Sequence, residues 1–180
     1  MSSSLSARKI TVAAALSAIA VVLGATQLGF IPVPTPAGHA TIMHIPAILG
    51  GILEGPVVGV IVGGIFGIYS FLDASTPIFK DPLVAILPRL FIGLFAYYAY
   101  AWTKRWGEVA AVTFSAIIGT LTNTVFVLGM IVIRGYLDGK TALAVGITHG
   151  IPEIVVAVII TLPVVLAWKR IETGRGKSKL

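Results

Sequence analysis

Between Ile42 and Leu72 the chain is almost wholly apolar, broken only by Glu54-Gly55-Pro56. A membrane-spanning helix needs about 20 apolar residues, so this run is too long for one ordinary span. A soluble domain carries about 25% charged residues, whereas this chain has 11% charged and 57% hydrophobic. A soluble fold of this size has no interior large enough to hide so much apolar surface, and a polytopic membrane protein is expected. Cysteine is absent, which excludes disulfides, thiol catalysis and thiolate metal sites. The net charge is +6, but the basic residues sit at segment ends, where they act as orientation signals and give no reason to invoke nucleic acid.

Six membrane helices are expected, at about 10–30, 42–53, 56–72, 83–102, 108–133 and 142–168, in one integral membrane domain over 1–180. The first follows Arg8 and Lys9 and is too long for the apolar core of a signal peptide, so it reads as a retained helix. A proline-rich loop at Pro32, Pro34 and Pro36 comes next, and the tail 169–180 reads as polar, basic and mobile. With six spans, Arg8, Lys9, Lys104, Arg105 and the basic tail share one side, opposite Lys80, Arg89, Arg134 and Lys140. The positive-inside rule then puts both termini in the cytoplasm.

Gly59, Gly63 and Gly67 fall on every fourth position of the third helix, and Gly51 extends the series upstream. Such a stripe lets a second backbone come close, so helix packing is expected, with a sliding surface or a ligand platform as the alternative. Ala14 and Ala18 give the first helix a weaker small-residue face near its cytoplasmic end.

Ionisable side chains at membrane depth are expensive and usually have a partner or a task. Arg89 lies two turns into the fourth helix, and His149 and Glu153 share a face of the sixth at i and i+4. Asn123 sits mid-helix in the fifth, and His44 opens the second after His39 in the loop. All but Asn123 belong to the outer half in this topology, and that convergence is the main functional signal. Arg89 and Glu153 read equally as a structural ion pair, and Asn123 as glue between helices. Phe66, Tyr69 and Phe71 are candidate apolar wall. Lys80 and Asp81 read as solvated, and Glu54 as a turn residue. His149 and Glu153 with His44 form a conceivable metal set. Neither a Gly-x-Ser-x-Gly nor a Walker A sequence occurs, so neither a serine hydrolase nor an ATPase is expected.

Three stretches, TIMHIPAILGGILEGPVVGVIVGGIFGIYSF, DPLVAILPRLFIGLFAYYAY and GTLTNTVFVLGMI, resemble the substrate-binding S components of energy-coupling factor (ECF) vitamin transporters. The likeness is greatest to the pantothenate-type branch. The folate and riboflavin branches carry an aspartate-serine type sequence before the equivalent proline, where this chain has Met43-His44-Ile45-Pro46. The resemblance implies an all-α bundle of six transmembrane helices that binds a vitamin or precursor in an outward-facing pocket under loops that close it. It implies a transmembrane scaffold subunit as partner, docked on the Ala14–Ala18 face, and two ATPase subunits that use the ATP. This chain would then need no cofactor and would be no enzyme. His44, Tyr69, Arg89, Asn123, His149 and Glu153 are the candidate substrate-binding residues, with pantothenate the leading ligand and lipoate, a corrinoid or a pyrimidine fitting the same scaffold. A proton-coupled transporter using His149 and Glu153 is the principal rival, and a membrane enzyme a lesser one.

Overall fold

The computed structural model of the chain describes residues 5–32, 39–74 and 76–177. Helix α1 (Ala7–Ala25) leads to a short antiparallel hairpin, β1 (Phe30–Pro32) and β2 (His39–Thr41), with Phe30 opposite Thr41. Then come α2 (Ile45–Glu54), α3 (Pro56–Leu72), a 3-10 turn over Pro77–Lys80, and α4 (Pro82–Ala85). The bundle is completed by α5 (Leu87–Thr103), α6 (Glu108–Ile133) and α7 (Gly139–Lys177). Pro82–Trp106, α1, α6 and Gly139–Thr173 are long and apolar enough to cross a membrane, whereas α2 and α3 are shorter.

Several boundaries differ from those expected of the sequence, each for a local reason. The first helix stops at Ala25 because the chain turns at Gln27, which has φ 61° and donates its N–H to the Gly24 carbonyl three residues back. The hairpin follows at once in place of an open loop, although residues 33–38 lie outside the described ones. The expected helix at 83–102 is two helices with a break at Ile86. Pro88 has no N–H to give the carbonyl of Val84, so the regular ladder fails there. The last helix runs from Gly139 to Lys177, so the tail expected to be mobile is helical as far as that residue. Asp138 caps its start, accepting from the N–H groups of Lys140 and Thr141 at 3.0 Å each. Its far end is tethered by Lys169 to Glu108 (2.6 Å) and by Glu172 to Arg8. Arg8 also donates to Glu54 at 2.6 Å, so Glu54 is an ion-pair partner as well as a turn residue.

The centre of the bundle is α2. Every residue from Ile45 to Ile52 is buried, and the helix touches α1, α3, α5, α6 and α7. A helix that is apolar all round needs cover on every side, and the surrounding helices supply it here, which accounts for the lack of a polar face. The chain reverses at Gly55, whose φ of 99° is a conformation that glycine adopts without a steric penalty, and Pro56 then starts α3.

The glycine stripe faces α5. A Cβ on Gly63 would lie 2.1 Å from the Arg89 carbonyl oxygen, and one on Gly59 would lie 2.8 Å from the Gly93 backbone. Gly51, on the other side of the chain reversal, also meets Gly93, at 2.2 Å from its carbonyl oxygen. The four-residue spacing therefore brings two separate helices onto one glycine of α5.

Helix α7 carries two rows at four-residue spacing. Leu143, Ile147, Ile151, Val155 and Ile159 are exposed, while His149, Glu153, Ala157, Thr161 and Val165 are buried. Apolar side chains outward and polar ones inward is the arrangement a lipid solvent selects.

A polar cleft beneath the hairpin

The end of the bundle that carries the hairpin holds a cleft of about 420 Å³. Its lining comes from α3, α6 and α7, together with Arg89 of α5, Phe30 and Thr41 of the hairpin, and Asp73, Ala74, Thr76 and Phe79. Arg89, Asn123, His149, Glu153 and Tyr69, expected from sequence to act together, all line it, as does Phe66. Phe71 does not, and neither does His44. His44 is completely buried, with Nε2 3.0 Å from the Thr120 hydroxyl, so it joins α2 to α6 away from the cleft. The metal set considered for His44, His149 and Glu153 is not assembled among the described residues.

Arg89 owes its place to the proline before it. Pro88 frees the Val84 carbonyl, and Nη1 of Arg89 donates to that oxygen at 2.5 Å. The guanidinium lies 5.5 Å from the Phe66 ring centroid and 5.2 Å from that of Phe79, within cation–π range of both. The side chain is 5% exposed, and its Nε has no hydrogen-bond partner among the described residues. Arg89 and Glu153 form no direct ion pair, so the structural pair considered from the sequence is not made.

Glu153 is instead engaged with the hairpin and α6. Its Oε1 accepts from the backbone N–H of Thr41 at 2.8 Å, and its Oε2 from the Thr124 hydroxyl at 3.3 Å. Asn123 is buried and its Oδ1 has no partner among the described residues. His149 Nδ1 lies 3.3 Å from the Thr148 hydroxyl. The Tyr69 hydroxyl donates to Asp73 at 2.8 Å.

The Glu153–Thr41 bond makes a testable prediction. Glu153→Leu leaves the Thr41 N–H without its acceptor, a cost of about 1–3 kcal/mol. Hydrogen exchange at residues 39–43 is expected to speed up by about tenfold or more. Glu153→Gln keeps an acceptor oxygen and is expected to exchange within a few fold of wild type.

Asp81, read from sequence as solvated, is buried at 7% exposure. It accepts from Arg134 Nε at 2.6 Å and from the Tyr136 hydroxyl at 3.3 Å. The hydrogen bond from Arg134 holds its carboxyl below the usual aspartate range. A lowered native pKa means that the tether is complete above the unfolded value of about 3.9 and is lost only as pH falls through the lower native value. Exchange in the 77–85 segment attributable to Asp81 is therefore expected to be flat from about pH 5 to pH 8, checked as the difference between wild type and Asp81→Asn.

Phe79 and Thr124 were not among the site residues expected from sequence. The only local signal was the Pro88-Arg89 pair, in which a freed carbonyl is followed directly by a long donor side chain.

A family model described as ECF transporter, substrate-specific component, matches residues 8–165. The pantothenic acid transporter PanT of Lactococcus lactis subsp. cremoris (strain MG1363) is 28% identical over 156 residues, covering 71% of this chain and 76% of that protein. The apolar helices, the buried polar row on α7 and a family match across most of the sequence agree, and the chain belongs to the ECF transporter substrate-specific component family.

Proposed function

We propose that this protein is the substrate-capturing subunit of an ATP-driven vitamin importer, and that its cargo is pantothenate or a closely related acid. The observation that carries the reading is a pair of buried polar groups, on two residues that line one cleft, without partners among the described residues. Arg89 Nε is a charged donor, and Asn123 Oδ1 is an acceptor. A ligand that meets both brings a carboxylate for the first and a hydroxyl or amide N–H for the second. Pantothenate has all three groups. An analogue lacking one leaves a buried protein atom unpaired, which is how polar sites discriminate strongly. The cleft size is within the range of about 300–1,000 Å³ usual for small-molecule sites. The curated relative's name, a pantothenic acid transporter, supports the same ligand.

In this reading the chain crosses the plasma membrane six times, with α2 and α3 counted as short spans. The end bearing Arg8, Lys104, Arg105 and Lys169 faces the cytoplasm, and the hairpin end faces outward. The Ala14–Ala18 face of α1 is exposed and offers a close-packing surface to the scaffold subunit. Two ATPase subunits supply the energy.

Calorimetric titration of the purified protein with a vitamin panel tests the proposal. Saturable one-to-one binding of pantothenate is expected, and no heat with any acid or amide of the panel removes the reading. Uptake into proteoliposomes is expected to need the partner subunits and ATP. Uptake by this chain alone, driven by a pH gradient, would favour the proton-coupled rival.

A further inference from the structure

One short stretch of chain, residues 77–85, holds the Arg89 guanidinium from two directions. The Val84 carbonyl in α4 accepts from Nη1, and the Phe79 ring in the preceding turn lies over Cζ. Asp81 joins these two pieces. Its Oδ1 accepts from the N–H of Leu83 at 3.0 Å, and its backbone carbonyl from those of Val84 (3.0 Å) and Ala85 (2.9 Å). Its N–H donates back to Ile78 at 3.4 Å. Its Oδ2 faces away from this stretch, to Arg134 and Tyr136 in the turn between α6 and α7. Asp81, Arg134 and Tyr136 do not line the cleft.

We propose that Asp81 is a positioning residue for Arg89. Anchored on Arg134, it fixes both the carbonyl and the aromatic face that aim the guanidinium, and so sets the preference of the cleft for an anionic ligand. The inference rests on the reading of Arg89 as the partner of a ligand carboxylate. A guanidinium is a rigid fork of five donors. With Nη1 committed to Val84 and the faces between Phe66 and Phe79, the guanidinium is held at the lining of the cleft, its Nε bonded to none of the described residues. If the 77–85 stretch drifts, the fork loses its seat and the anion loses a partner held in advance. A neutral ligand gripped elsewhere in the cleft loses much less.

The test compares pantothenate with its neutral alcohol, pantothenol, on the full chain. Asp81→Asn keeps the size and the acceptor to Leu83 but removes the charge that holds Arg134. Its affinity for pantothenate is expected to fall by about tenfold or more, the scale of one charge-assisted hydrogen bond, and that for pantothenol by less than about twofold. Arg134→Gln, at a half-exposed position, is expected to reproduce the same selective loss. An equal loss for both ligands, or no loss, overturns the proposal. A ligand-free measurement stands beside it, with backbone hydrogen exchange at residues 84–89 expected to be about tenfold faster in Asp81→Asn and unchanged in α6. Unaltered exchange at 84–89 also overturns it. If wild type binds no pantothenate, the functional reading fails, and the exchange result alone decides the role of Asp81.

Discussion

Arg89→Met is expected to weaken pantothenate binding by at least about a hundredfold. Two effects add. The ligand carboxylate loses a charge-assisted donor, worth about 1.5–3 kcal/mol. The Glu153 carboxylate also lines the cleft, and without the cation its repulsion of the ligand brings the total to at least about 2.8 kcal/mol, a hundredfold in affinity. Methionine suits the gap between Phe66 and Phe79, since a thioether packs well on aromatic rings. The fold therefore survives, with the Val84 carbonyl unpaired as its main local loss. Calorimetry measures the affinity, and thermal unfolding checks that the variant is folded. An affinity within tenfold of wild type would show that Arg89 does not hold the anion.

The largest effect on stability is expected at Gly63. Its added Cβ would meet the Arg89 carbonyl oxygen at 2.1 Å, and that atom is backbone. No side-chain rotation relieves the clash, so α3 and α5 must separate along their contact. Gly63→Ala is expected to cost at least about 3 kcal/mol, the upper end of ordinary overpacking. It also displaces Arg89 from behind, so surviving protein is expected to bind poorly. The neighbouring glycine supplies the control. A Cβ on Gly64 meets only Leu90 Cδ2, at 3.2 Å, the far end of a flexible side chain. Gly64→Ala is expected to be neutral or to stabilise by up to about 1 kcal/mol through helix propensity. Thermal unfolding in detergent separates the two. Similar stability for both variants would contradict the packing described for the stripe.

These two predictions rest on features that differ in how well a sequence displays them. A four-residue repeat is a local property of a helix, so Gly59, Gly63 and Gly67 could be placed on one face, as could His149 and Glu153. The break at Glu54-Gly55-Pro56 was legible for the same reason, because proline and glycine act on their own backbone. Which partner a side chain selects is not local. His44 looked like a site residue, yet it meets Thr120 inside the bundle. Asp81 looked solvated because Arg134 is 53 residues away. Glu153 and Arg89 looked like a pair, but Glu153 is held by a hairpin that no strand pattern announced. The burial of α2 was hidden too. An apolar run reads alike whether lipid or protein covers it, and only the arrangement of the other helices decides.

Selection of a carboxylate by the cleft is the property on which the proposed function turns. Native mass spectrometry of the wild-type protein, released from detergent after incubation with equal amounts of pantothenate and pantothenol, measures this directly. One bound equivalent of the acid, with little of the alcohol, is the predicted spectrum. Equal occupancy by both, or preference for the alcohol, would contradict the account.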